Sequence, residues 1–404
     1  MHILLIHQAF ASLDEAGGTR HYEMARFLVS RGHQVTIIAS PVSYLTGKTQ
    51  QQRVQWLTRE QPEPGIIILR AYTYPALHRS FFHRLISFFS FMFSSFLAAL
   101  SVRRVDLVWG TSPPIFQGVT AWLVARLKGV RLLFEVRDLW PAFAVAAGVL
   151  RNPMLIWLSE MLEQFLYRNA DRVIVNSPGF IEHVASRGAR WVELVPNGAD
   201  PHMFDQHQNG IRFRQQWGLG DEFVALYAGA HGLSNDLEVV LETARILRDE
   251  SHIRFVLVGD GKEKPRLIRQ AKEMGLTNIQ FMPPVAKKEM GEILAAADAC
   301  LAILKPLDWY KTTYPNKVFD YMAAGKPVVL AIDGVIREVI ETHQAGIAVP
   351  PGNPEALAKA VQKLAAEPQT ARTMGLAGRK AVQNCYNRQQ FSLRLAEIIE
   401  EMRF

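Results

Sequence analysis

The chain has 404 residues, 49% of them apolar, with a formal charge of +7 and a pI of about 9.4. That length suits two or three domains with substantial cores and excludes a disordered or low-complexity protein. Two cysteines, Cys300 and Cys385, supply neither a disulfide framework nor a zinc pattern, which fits a reducing cytoplasm. The basic residues are dispersed and carry no nucleic-acid motif, so the charge favours phosphorylated small molecules or anionic lipid and no nucleic acid.

The opening Met1–His7 is apolar but too short for a signal peptide and reads as a buried strand, Ile3–His7. Further strand-like runs follow at Gln34–Ala39, Ile66–Arg70, Leu107–Trp109, Arg131–Val136, Arg172–Val175 and Val192–Val195, separated by helical patterns at Thr19–Arg31, Gly118–Leu127 and Met154–Arg168. After the first strand, Gly17-Gly18-Thr19-Arg20 opens a helix. Glycines there let a ligand approach the backbone beside free N–H groups, or simply form the helix turn.

Leu85–Val102 carries no charge, with Arg84 before it and Arg103-Arg104 after. Ser87, Ser90, Ser94, Ala98 and Ser101 fall on one helical stripe; Phe88, Phe89, Met92, Phe93 and Phe96 fall opposite. A core helix, a short membrane span and a monotopic contact are all compatible with this pattern. In the monotopic case the phenylalanines face lipid or a lipid-like acceptor, and the arginines meet anionic headgroups. Glu135-Val136-Arg137-Asp138-Leu139-Trp140-Pro141 follows a buried strand, so Arg137 and Asp138 project toward a ligand cleft. Asp138 there either accepts a proton from an acceptor hydroxyl or caps the next helix.

Pro196-Asn197-Gly198-Ala199-Asp200-Pro201 is a cluster of turn formers that marks a domain joint. Beyond it come strands at Val224–Ala228, Arg254–Val258, Ile279–Phe281, Ala299–Ile303, Val328–Ala331 and Gly346–Val349. Apolar strands alternating with helices in both halves imply two doubly wound parallel sheets, over 1–196 and 197–387, with a last helical stretch at 388–404. Two second-half strands end in glycine loops, Gly229-Ala230-His231-Gly232 and Gly259-Asp260-Gly261. The most informative run is Tyr314-Pro315-Asn316-Lys317-Val318-Phe319-Asp320, ending in Gly325-Lys326-Pro327 and a strand. A helix N-terminus beside Lys317 suits a diphosphate, and Asp320 one turn further suits ribose hydroxyls.

The Tyr314–Val329 run and the Pro-Asn-Gly-Ala-Asp joint resemble the retaining glycosyltransferases of the GT-B fold, family 4; Asp-Leu-Trp-Pro resembles a branch that includes N-acetylfucosamine transferases of surface-polysaccharide synthesis. That resemblance implies two Rossmann-like domains facing across a cleft, with the last helix packed back on the first. It implies a nucleoside-diphosphate sugar as donor, held by Gly17, Gly18, Gly229, His231, Gly232, Gly261, Val285, Lys311, Thr312, Tyr314, Asn316, Lys317 and Asp320. The broader family often has two further cations where this chain has Ala230 and Asn235; Lys311 and Lys317 are the expected substitutes. The family's paired glutamates align with Thr312 and Asp320, and other members have a histidine near Asp138.

The expected protein is therefore a retaining transferase with Asp138, Arg137 and Lys317 in the chemistry. Its donor is a UDP-sugar and its acceptor a glycan or polyprenyl-linked saccharide. No Asp-x-Asp occurs, so no metal or other cofactor is expected. Phe88, Phe89, Phe93, Phe96, Arg84 and Arg103 would meet the membrane or acceptor, at the inner face of the cytoplasmic membrane. The rival readings are a nucleotide-sugar epimerase of the same architecture and a non-catalytic donor-binding scaffold.

Overall fold

A computed structural model describes all residues except 50–54, 77, 78, 80, 205–208 and 404. Contacts divide the chain into two units: Met1–Ser12, Gly17–Pro196 and the segment from Gln389, and then Leu13–Ala16 with Asn197–Arg388.

The first unit holds eight strands, β1 (His2–Ile6), β2 (Gln34–Ala39), β3 (Leu57–Glu63), β4 (Ile66–Ala71), β5 (Leu107–Ser112), β6 (Arg131–Val136), β7 (Arg172–Val175) and β8 (Val192–Leu194). They lie in the order β3-β4-β2-β1-β5-β6-β7-β8. All neighbours are parallel except β3, which runs antiparallel to β4 with a register shift between Glu60 and Glu63. The sequence Leu57-Thr-Arg-Glu-Gln-Pro-Glu63 is mostly exposed and polar, so it lacks the apolar signal that betrays the other strands. An edge strand tolerates Pro62 because one row of its N–H groups bonds to nothing in the sheet.

The second unit holds β9 (Phe223–Ala228), β10 (Ile253–Val258), β11 (Ile279–Met282), β12 (Ala299–Ile303), β13 (Val328–Ala331) and β14 (Gly346–Ala348). Their order is β11-β10-β9-β12-β13-β14, parallel throughout. Alternate residues of β9 feed opposite layers: Val224, Leu226 and Ala228 one, Ala225 and Tyr227 the other. Both faces are therefore covered, which is why these strands read as unbroken apolar runs. Each fully buried Leu or Ile contributes roughly 1.5–3 kcal/mol.

The helix Arg388–Glu401 leaves the second unit at its first residue. It buries Leu395, Ala396, Ile398 and Ile399 and reaches the first sheet's surroundings through Glu400 to Arg31 (3.1 Å) and His33 (3.1 Å), and Glu401 to Arg172 (2.7 Å). Phe404, the last residue assigned to it from sequence, lies outside the described residues.

Candidate functional site

Open α/β sheets bind ligands beyond the carboxyl ends of their strands, where the strand order reverses. That point falls between β9 and β12 in the second unit, and between β1 and β5 in the first.

In the second unit, β9 runs into Gly229-Ala230-His231-Gly232 and β10 into Gly259-Asp260-Gly261. The two loops are laced together, Gly229 N–H to Val258 O (3.0 Å) and His231 N–H to Asp260 O (2.8 Å). A Cβ on Gly259 would collide with the Gly229 carbonyl oxygen, and one on Gly261 with the His231 backbone. Only glycine fits at both. Lys264 Nζ donates to the Gly259 and Met282 carbonyls, each at 2.7 Å, fixing the strand ends.

Lys317 sits in the first turn of the helix Asn316–Ala323, whose N-terminus has no side-chain cap. Its Nζ donates to the Tyr227 hydroxyl (2.7 Å) and to Asn235 Oδ1 (3.4 Å), and lies 4.0 Å from the Tyr227 ring centre. Tyr227 in turn donates to Ala230 O at 2.7 Å. Asn235, where the broader family has a cation, is thus a neighbour of the lysine expected to replace it. Desolvation pulls the Lys317 ammonium down to about 7. His231 is fully buried, and neither ring nitrogen has a partner among the described residues. Burial first, then Lys264 and Lys317, lower its pKa to about 3, so it is neutral.

The other expected donor residues are placed differently. Asp320 is held by Lys287 (2.6 Å) and by Asn316 Nδ2 (3.3 Å). Asn316 Oδ1 accepts from Arg388 (2.5 Å), and Asn197 Nδ2 donates to Tyr314 O (2.8 Å), so the joint and this helix start are pinned together. Lys311 forms an exposed pair with Asp308 (2.6 Å). The Thr312 hydroxyl donates to Trp309 O (2.7 Å). Val285 is half-buried against the core.

In the first unit, Gly17 and Gly18 are exposed just before the helix Arg20–Ser30. The space around Gly18 is open. Behind them lies a network that the motifs did not single out. Glu135, fully buried on β6, accepts from Arg20 Nε (3.1 Å), His21 Nε2 (2.7 Å) and Trp109 Nε1 (3.2 Å). Desolvation opposes its charge, but His21 and Arg20 outweigh it and hold the carboxyl well below the usual range. Arg20 also donates to the carbonyls of Val195 (2.6 Å) and Pro196 (2.8 Å). A glutamate inside an otherwise apolar strand, Leu-Leu-Phe-Glu-Val, was the available signal.

Arg137 donates to Pro113 O (2.6 Å). Asp138 has no side-chain hydrogen bond among the described residues, and the helix Ala142–Ala146 starts at Pro141 without a side-chain cap, so Asp138 does not cap it. Its surface is open to solvent. Desolvation of the carboxyl nevertheless pushes it up, to about 6, against the pull of Arg137. Arg137 and Asp138, with Arg84, also act electrostatically on Tyr44, which gathers these groups on one side.

The aromatic segment is one helix, Phe81–Ser101. Ser87, Ser94, Ser95, Ala98 and Ala99 are buried with Phe91; their small size lets the helix lie close to the sheet. The exposed stripe is Phe82, Ile86, Phe89, Phe93, Leu97 and Leu100. Phe89 and Phe93 therefore face outward as expected, whereas Phe88 and Phe96 are half-buried. Phe88 leans on Phe116, ring centres 6.1 Å apart. Arg84 is half-buried and Arg103 exposed.

Two doubly wound units, with a glycine-laced loop pair, a desolvated lysine and an uncapped helix start at the switch point of the second, define a GT-B architecture. Comparison with known proteins agrees. Residues 16–198 match the family described as glycosyl transferase 4-like domain, and residues 222–367 the family described as glycosyl transferases group 1. The chain belongs to the glycosyltransferases of GT-B type. It is 26% identical over 356 residues to WcaI of Escherichia coli (strain K12), provisionally named a colanic acid biosynthesis glycosyl transferase, covering 84% of this chain and 86% of that one. It is 26% identical over 296 residues to the provisionally named glycosyltransferase WbjE of Pseudomonas aeruginosa, covering 69% and 70%. Its fold matches sucrose-phosphate synthase from Thermosynechococcus elongatus (TM-score 0.77, 20% identity, 99% and 98% covered). It also matches HepE of Anabaena in complex with UDP and glucose (TM-score 0.74, 16% identity, 99% and 100% covered).

Proposed function

We propose that this protein is a retaining, metal-independent transferase of surface-polysaccharide synthesis. It moves a hexosyl or N-acetylhexosaminyl group from a UDP-sugar to a glycan or polyprenyl-linked acceptor, as a peripheral protein at the inner face of the cytoplasmic membrane. The observation that carries this reading is Lys317, a desolvated ammonium held by Tyr227 beside an uncapped helix start. The names of WcaI and of HepE bound to UDP support the pathway class and the nucleotide.

As the bond from the anomeric carbon to the diphosphate breaks, negative charge grows on the leaving phosphate. Lys317 and the free N–H groups of the helix Asn316–Ala323 neutralise it where it develops. The acceptor oxygen bonds the anomeric carbon on the face the diphosphate leaves. Its proton goes to the departing phosphate oxygen, and the role proposed for Asp138 is to orient the acceptor hydroxyl. Lys311, paired with Asp308 at the surface, stands ready to meet the outer phosphate only after exchanging partners.

The test is a panel of UDP- and GDP-sugars with chelator present, read by nucleotide release and by proton NMR of the product. UDP release with retained anomeric configuration is expected. Epimerisation of free donor would assign the epimerase reading, and binding without turnover on any lipid-linked acceptor would assign the scaffold.

A further inference from the structure

Besides Phe81–Ser101, two more helices cover the same face of the first sheet, Phe116–Lys128 and Pro153–Asn169. The middle one packs against both others. Aromatic contacts bridge the layer, Phe89 to Phe116 at 5.0 Å and Trp122 to Phe165 at 4.8 Å. The helix Pro153–Asn169, started by Asn152 capping the Met154 and Leu155 N–H groups (3.0 and 3.1 Å), leaves Met154, Trp157, Leu158, Met161 and Phe165 exposed. These recur at helical spacing on one face, and the next residue of that stripe is Arg168.

Arg168 opens onto a recess of about 490 Å³ that is also lined by Arg126, Arg131, Arg172 and Arg190, with exposed Trp191 and one carboxylate, Asp171. Arg172 is already matched by Glu193 and Glu401, and Asp171 accepts the Leu132 N–H at 2.8 Å. Arg126 follows the outer face of the middle helix and precedes Leu127, which is 60% exposed. One exposed apolar stripe therefore ends in an arginine that lines the recess, and Arg126, beside the exposed Leu127, lines it from the neighbouring helix. The first two helices carry no carboxylate at all. On the third, Glu163 is fully buried and Glu160 pairs with Arg187.

Arg126, Arg168 and Arg190 pair with no carboxylate among the described residues, so an anion in the hollow relieves their mutual repulsion, and guanidinium matches phosphate oxygens in pairs. An apolar surface ending in such a hollow fits a bilayer whose acyl region meets the stripes and whose headgroup phosphate enters the recess. We propose that this three-helix face is the docking surface for an anionic lipid bilayer, and that the arginine recess seats a lipid headgroup phosphate. This rests on the peripheral-membrane part of the function proposed above, and it adds two further helices and a phosphate site to it.

The experiment is flotation of the full chain with phosphatidylglycerol or phosphatidylcholine vesicles, alone and with 0.5 M salt as a competitor. Wild type is expected to bind phosphatidylglycerol at least roughly tenfold better than phosphatidylcholine, the scale of two interfacial arginines. Arg126→Gln with Arg190→Gln should abolish that preference, and Trp157→Glu should weaken binding to both lipids, with UDP-induced thermal stabilisation unchanged in each variant. Undiminished phosphatidylglycerol preference in the arginine variant overturns the recess while peripheral binding stands. Wild type that binds no vesicle overturns both. A thermal shift by inorganic phosphate, lost in the arginine variant and unaccompanied by vesicle binding, assigns the recess to a soluble anion. A dimer in solution that Trp157→Glu dissociates assigns the face to a second copy of the chain.

Discussion

The Lys317 ammonium lies 2.7 Å from the Tyr227 hydroxyl and 4.0 Å from the centre of the same ring. One aromatic residue thus supplies both a hydrogen-bond acceptor and a π face to the same cation, in surroundings that pull its pKa down to about 7. Burial thus favours the neutral amine more than water does, and an anion placed beside it would restore the charge.

UDP binding should therefore take up a proton. The free-protein pKa is lowered, so the ammonium is populated below about 7 and lost above it; a bound diphosphate raises it again. Affinity is expected to fall by up to about tenfold per pH unit between 7.5 and 9. Titration calorimetry in buffers of different ionisation enthalpy measures the proton count. Lys317→Arg should remove the slope, and a pH-independent wild type would remove Lys317 from diphosphate binding.

Neither buried ring nitrogen of His231 has a partner among the described residues. Leaving such groups unsatisfied costs about 1–3 kcal/mol. His231→Phe should raise the denaturation midpoint and weaken UDP binding at the same time, the usual trade at a binding site. A variant that is less stable would mean that the imidazole has a partner in the apo protein.

Asp138→Asn keeps shape and removes charge. Donor binding should be unchanged while kcat falls, because the role proposed for this group is on the acceptor rather than the donor. Since the carboxyl is raised toward 6, wild-type kcat should also decline as pH drops through that region, and the Asn variant should lack that limb. Equal turnover in both proteins across pH 5–8 would exclude any role in the reaction.

Glu135→Gln leaves Arg20 and His21 facing a neutral amide in a dry site. Breaking a buried pair of this kind typically costs about 3–5 kcal/mol, readable as a lower urea midpoint. The folded-state pKa is depressed, so the wild-type contribution is complete above the ordinary glutamate range and fades only as pH falls toward the folded value. A mutant that matches wild type at pH 7 would show the network to be dispensable.

The strand–helix rhythm was legible wherever strands are buried on both faces, because continuous apolar runs leave few alternatives. β3 was not, because its residues are polar and only the edge of a neighbouring strand makes it a strand. Lys317 was legible because loop, lysine and helix start are contiguous. Its partner Tyr227 lies 90 positions away and looked like one more apolar strand residue. Asp320 was legible as an acid on the right helix, but its pairing with Lys287 depends on a turn that follows a different strand. The outward face of Phe81–Ser101 was displaced from the expected one because Phe91 takes a core place that a stripe of small residues had suggested for serines alone.

The helix that carries Glu400 and Glu401 belongs to the first sheet's surroundings although it is made after the whole second unit. On a ribosome adding roughly 5–20 residues per second, the residues through Pro196 are exposed for about 10–40 seconds before Gln389 appears. Throughout that interval Arg31 and His33 lack Glu400, Arg172 has Glu193 but not Glu401, and the apolar surface that Leu395, Ile398 and Ile399 will cover stays open. The half translated first is thus completed only after the second unit has been made.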